Sequence, residues 1–260
     1  MFGWLRERRR RRVLAEPFPE AWDRIIDENV GLARRLDPAR RQRLRERVQV
    51  FIAETSWEGC GGLALTEEMQ VTIAAQACLL LLDHADGGDE LFRDVSSILV
   101  YPSTVVTRPR PLGFFEQPRA PVGHGRALIG EAILRGPVVL AWDAVQAGGR
   151  EEVPGNVVLH ELAHKLDMAS GHIDGSPPLR GRAARERWAR VCAAAYERHR
   201  AATAFGWPTA MDAYGATNEA EFFAVATETF FTRPGELAAD QPELFALLAD
   251  FYHPGPRHRS

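Results

Sequence analysis

Apolar residues recur at helical spacing through the first third of the chain. Between residues 20 and 54 they form two amphipathic stretches, separated by Asp37-Pro38, a pair that is typical of a helix start. A further helix is predicted from Thr66 to about Leu82, and it is apolar nearly all round. A helix of this kind is expected to be buried, so the first third predicts a helical portion with its own contribution to a core.

The pattern changes to a β-type pattern after Val95. Residues 97–101, 104–107 and 137–142 predict strands, and residues 108–125 are rich in Pro and Gly and predict a loop. Helical periodicity then returns, and four more helices are predicted at 156–168, 181–202, 218–231 and 243–251. The fold class that follows is α+β, mostly helical, with a small mixed sheet.

No internal repeat or low-complexity linker divides the sequence, which favours one domain over residues 17–253. Within it, residues 17–95 form the helical N-terminal portion and residues 96–253 the second portion. Residues 1–16, with Arg6 and the run Arg8 to Arg12, predict a flexible basic tail, and residues 254–260 a C-terminal tail. Contact of the arginine run with anionic lipid or nucleic acid is the alternative to a solvated tail.

Charge and cysteine content exclude some classes of protein. The formal net charge of −3 gives no reason to expect direct binding of nucleic acid. Cys60, Cys78 and Cys192 are far apart and are expected to be free thiols. No apolar segment follows the arginine run, and the longest apolar run, residues 77–82, is far shorter than the roughly 18 residues of a membrane span. A cytoplasmic location without a membrane span is therefore expected.

The candidate chemistry lies in His160-Glu161-Leu162-Ala163-His164. Residues four apart lie on one face of a helix, so His160 and His164 can direct two imidazoles at a single metal ion. Glu161 projects beside them and can act as a general base on a water molecule without binding the metal. The alternative is a chance pattern of surface residues, but two imidazoles and a carboxylate in so apolar a helix would be costly unless they bind something.

A catalytic zinc ion needs a third protein ligand, and Glu221 is the best candidate. If Asn218 caps the next helix, Glu221 lies in its first turn, where Phe222 and Phe223 can pack into the core. The plain alternative is that Glu221 only completes a capping box with Asn218. From the residues alone, both interpretations stay open.

The segments HELAHKLD and YGATNEAEFFAVATETFF resemble the Mlc titration factor A (MtfA) peptidases, and both are similar to the catalytic domain of the lethal-factor toxin metalloprotease. GPVVLAWD, residues 136–143, resembles the MtfA family as well. The resemblance implies a zincin-like, gluzincin-type peptidase with one zinc ion (Zn2+) bound by His160, His164 and Glu221. It also implies that Glu161 is the catalytic base and that Tyr214 stabilises the oxyanion or donates a proton.

The resemblance further implies aminopeptidase-type activity on a peptide or protein substrate, and an Mlc-like transcriptional repressor as a partner, linked to sugar-phosphotransferase expression. The alternative function is a repressor-sequestering protein with a latent zinc site. A purely structural zinc is less consistent with the sequence, because Glu161 would then have no task.

Several other side chains are candidates for supporting roles at the site. Glu228, seven residues after Glu221, is a candidate partner for one of the two ligand imidazoles, with Asp167 and Asp143 as rivals. The toxin's own second carboxylate would fall at Val225. His124 is a further candidate metal ligand. His172 and Asp174 are expected to lie in a loop. The other histidines are expected to be exposed or capping residues: His84, His199, His253 and His258.

Overall fold

A computed structural model describes residues 2–84, 95–103, 136–169 and 171–254. The described helices and strands are α1 (Phe2–Ala15), α2 (Glu20–Asn29), a 3-10 helix (Gly31–Arg35), α3 (Pro38–Glu54), β1 (Ser56–Gly59), α4 (Glu67–Leu80), β2 (Ser97–Tyr101), β3 (Val138–Ala141), α5 (Trp142–Gly149), α6 (Val157–Met168), α7 (Arg182–Phe205), a second 3-10 helix (Ala213–Ala216), α8 (Glu219–Thr232), α9 (Pro234–Asp240) and α10 (Pro242–Tyr252). The mostly helical α+β class predicted from the sequence is confirmed.

The described strands form one sheet in the order β1-β2-β3, and both pairs are parallel. Where the sequence predicted a mixed sheet, these three strands therefore all run the same way. Strands β1 and β2 can be parallel because α4 lies between them in the chain and returns the chain to the same end of the sheet. Ile98 and Val100 of β2 and Val138 and Leu140 of β3 are buried.

Helix α4 lies at the centre of the molecule, as its apolar sequence predicted. Its residues are buried almost without interruption, and it packs against α2, α3, α5 and α6. Helix α6 in turn packs against α8, which brings the two segments that carry the candidate chemistry together. No helix in the described part of the chain is both long enough and apolar enough to cross a bilayer.

The N-terminal segment differs from the flexible tail predicted for residues 1–16, because Phe2–Ala15 is a helix. Arg6 and Arg10 bind the carboxylate of Glu54 at 2.8 and 2.6 Å, and Arg9 donates to the carbonyl oxygen of Ala53 at 2.5 Å. Burial raises the pKa of Glu54, but hydrogen bonds and charge from Arg10 and Arg6 outweigh it and lower that pKa to about 2. The arginines thus attach α1 to the C-terminal end of α3, where carbonyl groups and the helix dipole favour cations.

Some predictions fall outside the described residues. They are the strand at residues 104–107, the loop at residues 108–125 with His124, and the end of the chain from residue 255 onward with His258. The single-domain division of the chain stays a prediction.

Candidate metal centre

Helix α6 begins at Asn156, whose Oδ1 accepts a hydrogen bond from the backbone N–H of Leu159 at 3.0 Å. The apolar residues that follow fix the orientation of the helix, since Leu159, Leu162 and Leu166 are buried in the core. This packing turns His160 and His164 toward α8. His160 is buried and His164 is half-buried, as a site with access to substrate requires.

Helix α8 begins as the sequence predicted. Asn218 Oδ1 accepts from the backbone N–H of Glu221 at 2.9 Å, and Phe222 and Phe223 are buried against the core. With the next two side chains anchored in this way, the carboxylate of Glu221 lies against both imidazoles of α6. The structure therefore places Glu221 beside the histidines, where a ligand is needed, as well as in the capped first turn.

The three candidate ligand atoms form a nearly equilateral triangle. His160 Nε2 lies 3.1 Å from His164 Nε2 and 3.1 Å from Glu221 Oε2, and His164 Nε2 lies 3.3 Å from the same oxygen. Tetrahedral ligands about 2.0–2.2 Å from a zinc ion stand roughly 3.3–3.6 Å from one another. The donor set and its spacing therefore fit a divalent ion such as zinc. No other cluster of three such side chains is found among the described residues.

His160 is held from its other side by Glu228. Its Nδ1 lies 2.5 Å from Glu228 Oε1, and because a carboxylate only accepts hydrogen bonds, Nδ1 carries the proton. This leaves Nε2 directed at His164 and Glu221. The structure thus selects Glu228 over its rivals, since Asp167 accepts from the backbone N–H of Ser176 at 2.9 Å and Asp143 from that of Ala144 at 2.7 Å.

The carboxylates around the imidazoles shift the pKa values of the site. Burial lowers the pKa of His160, but hydrogen bonds to Glu221 and Glu228 and the negative charges of Glu228 and Glu161 outweigh it and raise that pKa to about 9. Burial likewise raises the pKa of Glu221, but hydrogen bonds and charge from His160 and His164 hold it well below its usual range. The surrounding carboxylates therefore favour a positive charge at this point between the side chains.

Glu161 and Tyr214 complete the site. Glu161 follows His160 in α6, is partly exposed to solvent, and is close enough for its charge to raise the pKa of His160. Tyr214 lies in the 3-10 helix Ala213–Ala216, and its hydroxyl donates to Glu221 Oε1 at 3.1 Å. All five residues predicted for the site therefore lie together.

Two further residues near the site have roles that the sequence did not reveal. His199, expected to be exposed or capping, is buried, and its Nε2 donates to the carbonyl oxygen of Asp212, which caps the turn that carries Tyr214. Lys165 is buried, and its Nζ donates to the carbonyl oxygen of Gly136 at 2.7 Å, which ties α6 to the segment before β3. The one available signal was that Lys165 is the only lysine in the chain.

Comparisons with known proteins show which proteins this chain is similar to. The family model of the glucose-regulated metallo-peptidases M90 matches residues 4–253. An uncharacterized protein from Synechocystis sp. is 34% identical over 252 residues, which cover 96% of this chain and 89% of that protein. Mlc titration factor A from Serratia proteamaculans is 34% identical over 232 residues, covering 86% and 84%, and that from Yersinia pestis 29% over 242 residues, covering 89% and 84%.

Proposed function

Because this chain belongs to the glucose-regulated metallopeptidases of family M90, we propose that it is a zinc-dependent peptidase of the gluzincin type, with Glu161 as its general base. The observation that supports this most directly is the triangle of His160 Nε2, His164 Nε2 and Glu221 Oε2, with sides of 3.1 to 3.3 Å. Two imidazoles and one carboxylate leave a tetrahedral position open for water or substrate, as hydrolytic zinc sites require.

His160, His164 and Glu221 would hold one zinc ion. When bound, the ion acts as a Lewis acid that acidifies a water molecule and polarises the substrate carbonyl. Glu161, next to the ligands and open to solvent, accepts the proton from the attacking water as the new C–O bond forms. It then delivers that proton to the leaving amine as the C–N bond breaks, which yields a carboxylic acid and an amine; transfer of the acid's proton to the amine gives the carboxylate and the ammonium ion.

Tyr214 is proposed to stabilise the negative charge that develops on the carbonyl oxygen. Its hydroxyl donates to Glu221 Oε1 at 3.1 Å, so the donor lies beside the candidate ligands. The removal of one oxyanion donor typically lowers kcat by about 10²–10³-fold. His199 supports this placement, because it holds the carbonyl group of Asp212 at the start of the same turn.

The test compares wild type with Glu161→Gln, with zinc content and peptide hydrolysis measured on the same samples. Glu161→Gln is expected to retain one zinc per chain and to lose about 10²–10⁴-fold in kcat. A matched control is Glu186→Gln, which changes an exposed glutamate of α7 that pairs with Arg182. Wild type that binds no zinc, or hydrolysis that survives both the substitution and a chelator, would refute the proposal.

The proposal includes aminopeptidase-type activity, which the resemblance to the MtfA peptidases supports. We expect the enzyme to hydrolyse amino-acid anilides and peptides that have a free α-amino group. The same substrates should resist hydrolysis after N-acetylation. Equal cleavage of blocked and free peptides would instead identify an endopeptidase and leave the zinc chemistry of Glu161 unchanged.

A second candidate function is binding of an Mlc-like transcriptional repressor, with a zinc site that is latent. The observation that favours it is the similarity to relatives named Mlc titration factor A. Association measured with the purified repressor, by wild type and by Glu161→Gln alike, would show that binding does not depend on hydrolysis.

We also propose that the chain acts in the cytoplasm, where its free thiols Cys60, Cys78 and Cys192 would stay reduced.

A further inference from the structure

We propose that Gln76 and Asn156 are positioning residues of the metal centre, which hold Glu228 so that His160 presents Nε2 to the ion. This inference rests on the proposed metal-binding function. A continuous line of buried hydrogen bonds joins helix α4 of the N-terminal portion to the proposed ligands on α6. None of these residues touches the reacting atoms.

The first link is the carboxylate of Glu228, both of whose oxygens are engaged. Oε1 accepts from His160 Nδ1 at 2.5 Å, and Oε2 accepts from the backbone N–H of Asn156 at 2.6 Å. Glu228 is almost fully buried, so water offers it little alternative solvation. The orientation of the His160 ring therefore depends on where the backbone of Asn156 lies.

The second link is the side chain of Asn156, which is buried and uses both ends of its amide. Oδ1 caps α6 through the backbone N–H of Leu159 at 3.0 Å, and Nδ2 donates to Gln76 Oε1 at 2.7 Å. A serine, threonine or aspartate would cap the helix equally well. The amide NH2 group is the feature that those residues lack, and it is directed at Gln76.

The third link is Gln76, which is fully buried in helix α4. Its Nε2 donates to the carbonyl oxygens of Thr72 and Val145, each at 3.3 Å, so Oε1 is the end that faces Asn156. A buried amide is costly unless both of its ends are paired, which these contacts achieve. A Cβ atom at Gly149 would come within 2.7 Å of Gln76 Nε2, so the amide has little room to rotate.

The consequence is that α4 fixes the start of α6, and thereby the position of the first ligand. Loss of the Gln76 contact would leave the Asn156 side chain held by the helix cap alone and would loosen the Glu228 carboxylate. A metal site whose supporting partners are removed typically loses about 10–100-fold in metal affinity. Gln76 is expected to act at the lower end of that range, because it reaches His160 through two other residues.

The experiment measures the zinc dissociation constant of the full chain by competition with a chelator, and the Tm of the metal-free protein in parallel. Gln76→Met keeps the length of the side chain and removes its hydrogen bonds, and it is expected to weaken zinc binding about 10-fold. The matched control is Gln49→Met, which removes a buried amide of α3 that donates to the carbonyl oxygen of Glu16 at 3.1 Å. The control is expected to lower Tm without any change in zinc affinity.

A double variant separates positioning from a general loss of stability. If Gln76 acts through Glu228, Gln76→Met combined with Glu228→Gln binds zinc no more weakly than Glu228→Gln alone. Additive losses, or a zinc affinity of Gln76→Met within about 2-fold of wild type, would overturn the inference. If Gln76→Met does not fold, Asn156→Ser serves as the test. It removes the amide that contacts Gln76 and keeps a side-chain oxygen that can cap α6, so it should weaken zinc binding in the same way. Failure of wild type to bind zinc would instead overturn the proposed function.

Discussion

Replacement of Gly155 by alanine adds one methyl group beside the carboxylate that holds His160. A Cβ atom at this position would lie 2.9 Å from Glu228 Oε2, whereas ordinary contact begins at 3.4 Å. Glu228 would have to move by about 0.5 Å, yet both of its oxygens are already bound, to His160 and to the backbone of Asn156. Overpacking of this kind costs about 1–3 kcal/mol. We therefore expect Gly155→Ala to lower the free energy of unfolding by that amount.

The same displacement should appear in metal binding. Because Glu228 sets the orientation of the His160 ring, Gly155→Ala is expected to weaken zinc binding by about 10-fold or more. Chelator competition and chemical denaturation measure the two effects. The matched control is Gly235→Ala in α9, where an added Cβ would meet nothing within 4 Å. If Gly155→Ala matched Gly235→Ala in both zinc affinity and stability, the packing argument around Glu228 would be refuted.

Three other predictions follow from the site and from α1. Tyr214→Phe should lower kcat by about 10²–10³-fold with zinc content unchanged, and an equal loss of zinc would contradict an oxyanion role. The pKa of His160 is raised to about 9, so protonation of this ring should add to the free energy of unfolding of the protein without zinc. This contribution is complete below about pH 6.5 and is lost as the pH rises through 9. Zinc binding near pH 7 should therefore release a proton, seen as a calorimetric heat that depends on the buffer; a heat independent of the buffer would contradict this. Glu54→Ala should free α1, which binds Glu54 through Arg6 and Arg10, so that amides of residues 2–15 exchange faster by mass spectrometry; unchanged exchange would contradict the assigned contact.

The close approach of the candidate metal ligands could be predicted from the sequence because much of the relevant geometry is local. The spacing of His160 and His164 by one helical turn, and the cap of Asn218 on α8, are properties of consecutive residues. For Glu221, the resemblance to a known family favours a metal ligand over a residue that only completes a capping box. The same local signals placed the start of α3 at Asp37-Pro38, where Asp37 accepts from the backbone N–H of Arg40.

The features that the sequence did not reveal depend on residues far apart in the chain. Arg10 meets Glu54 across 44 positions, so an arginine run that resembled a solvated tail is a docked helix. Gln76 meets Asn156 across 80 positions, and neither residue stands out in its own segment. His199 is buried, and its Nε2 donates to the carbonyl oxygen of Asp212, 13 positions later in the chain.

The parallel sheet has a consequence for how the molecule can be divided. Strand β1 comes from the N-terminal portion, and β2, its hydrogen-bonded neighbour, comes from the portion that contains the candidate metal ligands. A fragment that started at residue 96 would expose the backbone groups of Ile98 and Val100 along a bare, apolar strand edge. Such a fragment should self-associate through that edge, so the two portions are best expressed and engineered as one polypeptide.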